Sequence, residues 1–334
     1  MNERDQSLKM GLVGLAFLAI LALGAALTEP PQASAADEVV NFGIISTESS
    51  QNLRKIWEPF IEDMRAQTGL NVKAFFAIDY AGIIEGMRFD KVQLAWYGNK
   101  AAMEAVDRAG GEVFMRTVNY DGTEGYYSHI IAHKDSPLTS IEDMFKNSHE
   151  LIFANGDPNS TSGFLVPSYY VFALNKVDPK KAFKRVLNSN HEANALSVAN
   201  GQADAATCNS EALTRLAITF PDKRENIKVI WTSPLIPSDP LVWRKDLDPA
   251  VKEKIKTFLL AYGQDGPEQA RQLEILKALQ WKGFQESTDS QLDPIRQLEL
   301  YKEKSKLESA GELKASQKER LAAIERELAE LEKK

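Results

Sequence analysis

The stretch best suited to hold a ligand is Asp157-Pro158-Asn159-Ser160-Thr161-Ser162-Gly163. A short apolar run, Leu151-Ile152-Phe153-Ala154, leads into it and reads as a buried strand. Phe164-Leu165-Val166-Pro167 leaves it and opens an apolar, aromatic-rich run of helical length. Three consecutive hydroxyls therefore stand where a helix begins. The N–H groups of a first helical turn have no internal partner, and the positive end of the macrodipole lies there. Hydroxyl donors and a glycine beside them make a pocket suited to a tetrahedral oxyanion. A single Ser or Thr would read as a helix cap. Three in a row, flanked by Asn159 and Gly163, exceed what a cap needs. Pro167 is tolerated only near a helix start, which predicts a helix beginning at Ser162 or Gly163.

Composition bounds what such a pocket can serve. The 334 residues are 43% hydrophobic and 26% charged, enough for two lobes that each bury a core. A net charge of −7 argues against nucleic-acid binding, which draws on a surplus of Lys and Arg, but not against a local anion site. With Cys208 the only cysteine, neither an internal disulfide nor a cysteine-based metal cluster can form. His129, His133, His149 and His191 are scattered without metal-binding spacing, so no metal or other cofactor is expected. No GxSxG motif and no Cys–His pairing is present, and the chain reads as a binder, not an enzyme.

At the N-terminus Lys9 precedes an uncharged apolar run over residues 10–27, broken by Pro30-Pro31 and followed by Ala33-Ser34-Ala35. This is the pattern of an export signal over residues 1–35, with a mature chain from near Ala36 in the periplasm. A retained membrane anchor is the alternative, since the run approaches spanning length.

The elements that must position the hydroxyls follow from periodicity. Strands are expected over Val39 to Ile45, Val72 to Phe76, Val92 to Trp96 and Val113 to Val118, with helices between them. Alternation of this kind predicts a parallel, doubly wound sheet. A strand over Tyr126 to Ala132 and a turn at Lys134-Asp135-Ser136-Pro137 suggest a crossing into a second lobe. That lobe carries its own series: the hydroxyl stretch, a strand near Val186, a helix over Ala193 to Ala199, a strand at Ala203 to Ala206, a helix near Ala212 to Phe220 and a strand over Ile227 to Trp231. The proline-rich residues 233–240 read as irregular, and Leu241-Val242-Trp243 as a strand back in the first lobe. The expected division is residues 36–133 and 242–300 for one lobe and 134–241 for the other. Sites in such sheets fall at the carboxyl ends of strands, where Tyr80, Tyr97 and Ser160 sit. After Val251 the chain is expected to be helical. Residues 301–334 read as a charged helix whose Leu321, Ile324, Leu328 and Leu331 form a narrow seam. A seam this short must pack on the body of the protein or on a second copy, giving a homodimer through the C-terminal helix.

Several stretches together carry a family resemblance. Asn41 to Glu48, Asp79-Tyr80-Ala81-Gly82-Ile83-Ile84, Ala95-Trp96-Tyr97-Gly98-Asn99, Asn155 to Pro167, His191-Glu192-Ala193-Asn194-Ala195 and Ser233-Pro234-Leu235-Ile236-Pro237 closely resemble the periplasmic phosphonate-binding proteins (the PhnD family) of phosphonate ABC transporters. The resemblance implies an α/β, two-lobed periplasmic binding-protein fold of type II, here with a C-terminal helical extension. It also implies capture of alkylphosphonates, 2-aminoethylphosphonate in particular, for an inner-membrane permease. Carried over by position, it places phosphonate contacts on Tyr80, Ser160, Thr161, Ser162 and His191. It places contacts to the ligand's ammonium end on Tyr126, Glu211 and Asp239.

Elementary chemistry agrees with that assignment. Helix-terminal N–H groups and three hydroxyls satisfy phosphonate oxygens without a permanent positive charge, and a His191 protonated by the ligand would add a charge-assisted bond. Glu211 alone reads as a helix-dipole partner, and Asp239 as a turn residue. Facing an ammonium, with Tyr126 over it, both acquire a purpose. The alternatives are another oxyanion, phosphate or phosphite, or an anchored sensor domain.

Overall fold

The computed structural model describes residues 39–333. The export-signal reading of residues 1–35 lies outside the described residues. Among those described, no helix is long and apolar enough to cross a membrane.

The first lobe opens with β1 (Val39–Ile44), α1 (Ser50–Thr68), β2 (Asn71–Phe76), α2 (Tyr80–Arg88), β3 (Leu94–Trp96), α3 (Asn99–Arg108) and β4 (Gly111–Asn119). Helix α1 shows how sequence builds these units. Leu53, Trp57, Phe60, Ile61 and Met64 fall on one face and are buried. Ser49 caps the start by accepting from the Asn52 N–H. Gly69 ends the helix in the left-handed region at φ 66°, which favours glycine.

β1 pairs in parallel with β2 and β3. Beyond β3 the expected parallel sheet gives way to a mixed one. β12 (Pro240–Arg244) inserts antiparallel between β3 and β4, and β13 (Trp281–Glu286) adds antiparallel to β4. The order is β13-β4-β12-β3-β1-β2. Direction explains the change: β12 carries the chain back from the second lobe, so it enters the sheet from the cleft end. β13 also interrupts the helical run expected after Val251, lying after α7 (Pro249–Ala261) and α8 (Gln269–Ala278).

The second lobe contains β6 (Ser128–His133), α4 (Ile141–Lys146), β7 (Ile152–Gly156), β8 (Arg185–Ser189), α5 (His191–Ala199), β9 (Ala205–Asn209), α6 (Ser210–Thr219) and β10 (Ile227–Thr232), in the sheet order β10-β6-β9-β7-β8. This corrects the expected boundary at residue 133. β6 pairs antiparallel with β9 and β10, so it belongs to the second lobe, and Lys134-Asp135-Ser136-Pro137 is a turn within that lobe. The crossing lies just before Ser128. There β5 (Gly125–Tyr126) and β11 (Ile236–Pro237) pair with each other, tying the two crossing segments into a short ladder. The proline-rich stretch is thus partly regular.

The C-terminal division also needs correction. α9 (Asp293–Glu308) runs through the expected break at residue 300 and touches both lobes. Arg296 pairs with Asp107 of α3 at 2.6 Å, while the Tyr301 ring lies 6.2 Å from that of Tyr169 in the second lobe. α10 (Ala315–Leu331) folds back on α9, and Ile324 and Leu328 are buried with Leu300. The seam is therefore covered within the chain.

Phe60 sits at the centre of the first lobe's core, fully buried among the rings of Phe42, Trp57, Phe258, Tyr262 and Phe284. Phe60→Ala is expected to destabilise the protein by about 3–5 kcal/mol, the range for emptying a buried aromatic position. Urea denaturation followed by tryptophan fluorescence measures it, and a loss below about 1 kcal/mol would contradict this packing.

Candidate functional site

The side chains expected to bind a ligand cluster at the carboxyl ends of strands, most of them in the first turn of the helix that follows. Tyr80 is the first residue of α2, capped by Asp79; His191 is the first of α5, capped by Asn190; Glu211 is the second of α6, capped by Asn209. The hydroxyl triplet follows β7 in the same way. Ser160 caps a turn over Thr161–Leu165, so the helix starts one residue earlier than expected. That turn is wide, with the Leu165 N–H donating to Ser160 O at 3.1 Å and the Val166 N–H to Thr161 O. Five-residue spacing of this kind is the π form, which recurs at functional sites. A second wide turn, Ser168–Ala173, follows Pro167, so the missing proline N–H falls between the two. Several helix N-termini thus aim positive dipole ends at one place.

The three hydroxyls are held as donors. Ser160 Oγ accepts from the Gly163 N–H at 2.9 Å, Thr161 Oγ1 from the Lys100 N–H at 2.8 Å, and Ser162 Oγ from Asn209 Nδ2 at 3.2 Å. With an acceptor role already filled, each keeps a proton to offer an anionic oxygen. His191 Nε2 stands 3.5 Å from Ser160 Oγ and 3.4 Å from Ser162 Oγ, and its Nδ1 is buried without a partner. Burial holds this imidazole down at about 4, so at neutral pH it is uncharged. The Tyr80 hydroxyl faces Ser160, and burial, reinforced by Asp157, Asp239 and Glu211, pushes it well above the usual phenol range. It marks the middle of the site.

The other end is carboxylate. Tyr126 and Asp239 sit in the crossing segments, not in the first lobe proper, and the Tyr126 hydroxyl donates to Asp239 Oδ1 at 2.9 Å. The Trp96 indole, its N–H buried without a hydrogen-bond partner, acts on the same carboxylate. Glu211 is half-buried as a residue, but its carboxyl turns inward, where its charge acts on Asp239. Burial raises Glu211 to about 7, and burial together with Glu211 raises Asp239 well above the carboxylate range. Neither forms an ion pair among the described residues. Two such groups cannot both ionise cheaply in one dry space. The empty closed state therefore loses stability as pH rises from 4.5 through about 7, as the Glu211 proton is lost. His191 acts in the opposite sense, weakening the fold as pH falls from 6.5 toward about 4.

The site is shut between the lobes. Tyr80, Tyr126, Ser160, Thr161, Ser162, His191 and Asp239 are each at most 6% exposed. Contacts cross the cleft on several sides. The Lys100–Thr161 bond is one, the Tyr80 N–H donates to Asp157 Oδ2 at 3.2 Å, and Gln280 Nε2 donates to the Glu211 carbonyl at 3.0 Å. All eight expected residues meet in this one region. Tyr97 does not join them: it is fully buried and its hydroxyl donates to the Ile83 carbonyl at 3.0 Å. Two supports escaped sequence reasoning. Asn209 both caps α6 and holds Ser162, and Asn194 donates to the carbonyls of Ala154, Asn155 and Thr207, binding α5 to the ends of β7 and β9. An Asn directly before a helix start is the signal for the first; nothing local marks the second.

Gly156 lets the hydroxyl turn come close. A Cβ there would lie 2.4 to 2.6 Å from the Gly163 backbone, which has no flexible end to yield. Gly156→Ala is expected to displace Ser160 to Ser162 and weaken anion binding at least tenfold, read by calorimetry alongside a circular-dichroism melt. Unchanged affinity would refute the close approach.

Comparison with known proteins places this architecture. Residues 42–292 match the family model described as the ABC transporter, phosphonate, periplasmic substrate-binding protein. The chain is 53% identical to the phosphonates-binding periplasmic protein of Escherichia coli over 292 residues, 87% of this chain and 85% of that one. It is 29% identical to the phosphate-import protein PhnD of Mycolicibacterium smegmatis, over 73% of this chain and 78% of that one. A crystal structure of a binding protein component of an ABC phosphonate transporter from Pseudomonas aeruginosa superposes with a TM-score of 0.85 at 60% identity, covering 88% of this chain and 97% of that one. The fold is the two-lobed, type II form, and the chain belongs to the periplasmic phosphonate-binding proteins of ABC transporters, which bind a solute and are not enzymes.

Proposed function

We propose that the ligand is an aminoalkylphosphonate, 2-aminoethylphosphonate foremost, and that the closed complex is what the chain delivers to its inner-membrane permease. The supporting observation is the polarity of the cleft. Helix N-termini and three hydroxyl donors occupy one end, and the coupled carboxylates Glu211 and Asp239 the other. A phosphonate alone would leave the second end without a partner for its carboxylates, which would then stay protonated. An ammonium two carbons away satisfies it, with the Tyr126 and Tyr80 hydroxyls between.

Closure follows from the same layout. Ser160 to Ser162, His191 and Glu211 belong to the second lobe, Tyr80 to the first, and Tyr126 and Asp239 to the crossing segments. A ligand touching all three stabilises the closed population by its differential contacts. The covered α10 seam supplies no apolar reason for a homodimer in this reading.

Calorimetry with 2-aminoethylphosphonate, methylphosphonate, phosphate and sulfate tests the assignment, together with Glu211→Gln. Wild type is expected to bind 2-aminoethylphosphonate most tightly. Glu211→Gln is expected to weaken it about 100-fold, the order for losing one partner of a buried charged pair, and to change methylphosphonate less than about threefold. Equal losses for the two ligands would remove the ammonium role. Phosphate binding as well as the aminophosphonate would leave an oxyanion receptor instead.

A further inference from the structure

Outside the proposed ligand contacts, a second polar cluster crosses the cleft. Glu48, in the loop between β1 and α1 of the first lobe, forms an ion pair with Arg215 of α6 in the second. Both side chains are inside the protein, Glu48 at 5% exposure and Arg215 at 14%. The same loop and the first turn of α1 are held from the second lobe by two further bonds. Asn52 Nδ2 donates to Glu192 Oε2 at 2.6 Å, and the Glu192 N–H donates to Thr47 O at 3.4 Å. Glu48, Asn52 and Thr47 leave together when the lobes part.

Arg215 has a second carboxylate within its field. Glu211 lies one helical turn earlier on α6, at the spacing that brings side chains together, and Arg215 acts on it electrostatically. The Arg215 Nη1 is buried with no hydrogen-bond partner even in the closed state, so the guanidinium can still serve another acceptor. Glu48 belongs to the first lobe and Glu211 to the same helix as Arg215, so a parting of the lobes would take Glu48 away and leave Glu211 beside Arg215.

We propose that Glu48 and Arg215 set specificity for the ammonium group: closure moves Arg215 from Glu211 to Glu48 and frees Glu211 for the ligand. This rests on the aminoalkylphosphonate reading above and adds a positioning role for two residues that do not touch the ligand. Open, the Glu211–Arg215 pair masks the carboxylate before the cleft closes over it. Closed, the Glu48–Arg215 pair takes up the cation. The ammonium then replaces the guanidinium at Glu211. A ligand without an ammonium gains the first exchange but leaves Glu211 and Asp239 facing each other.

The test is the ratio of affinities for 2-aminoethylphosphonate and methylphosphonate, which a change in closure alone leaves untouched. Glu48→Gln leaves Arg215 with Glu211 in the closed state as well, so the ratio is expected to fall about tenfold, the order of one shifted charge pair. Adding Arg215→Met removes the competing cation and is expected to return the ratio to the wild-type value or above it. Thermal melts identify any variant that fails to fold, and Arg215→Met alone, expected to keep or raise the ratio, provides an independent arm. The proposal is overturned if Glu48→Gln weakens both ligands alike or neither, or if the Arg215 change does not restore the ratio. A wild type that does not discriminate between the two ligands would instead refute the aminoalkylphosphonate reading itself.

Discussion

Two carboxylates shut away from water govern this structure. Glu211 and Asp239 come from different segments, one from the start of a helix in the second lobe and one from the returning crossover. Closing the lobes over them is unfavourable unless protons or a cation offset the charge, and burial accordingly raises both. Everything that closes the cleft works against that cost. The Lys100–Thr161 and Tyr80–Asp157 bonds and the Glu48 loop hold the lobes together from three sides. A ligand with opposite charges at its two ends reverses the balance, because it needs both the donors and the carboxylates.

The anion end uses no permanent positive charge. Its donors are hydroxyls whose acceptor roles are already filled and helix ends fixed by side-chain caps, so the empty site pays little for being dry. His191 is neutral at rest, and on the proposed reading it gains charge only beside a bound anion.

Much of this was legible in the sequence, and the exceptions have physical causes. The hydroxyl triplet, the capped helices and the return strand at Leu241 are local features, and local spacing revealed them. Glu211 looked like a dipole partner, which it also is, and Asp239 like a turn residue, whereas it lies in the link between β11 and β12 with its carbonyl accepting from the Thr117 N–H; only the family resemblance singled them out, because their pairing is a long-range fact. β6 was assigned to the wrong lobe for the same reason: a strand's partners, here β9 and β10, lie 70 residues or more along the chain, as Ser128 opposite Asn209 shows. β13 was missed because Trp281 to Glu286 is a short segment between strongly helical stretches. The seam of α10 was read correctly as apolar, but its partner, Leu300 on α9, could not be chosen over a second copy without the turn that folds it back.

The central claim, that the ligand carries a cation to a protonated carboxylate pair, is tested most directly by counting protons. Binding is measured by calorimetry at pH 6 in buffers of different ionisation enthalpy, for 2-aminoethylphosphonate and for methylphosphonate. The ammonium lowers the second ionisation of its own phosphonate relative to methylphosphonate, so each free ligand's titration is measured separately and subtracted, while that of His191 is common to both. Glu211 stands near 7 in the empty site and must ionise to meet an ammonium, so the aminophosphonate is expected to release close to one proton more than methylphosphonate. Identical proton counts for the two ligands after that subtraction would contradict the account.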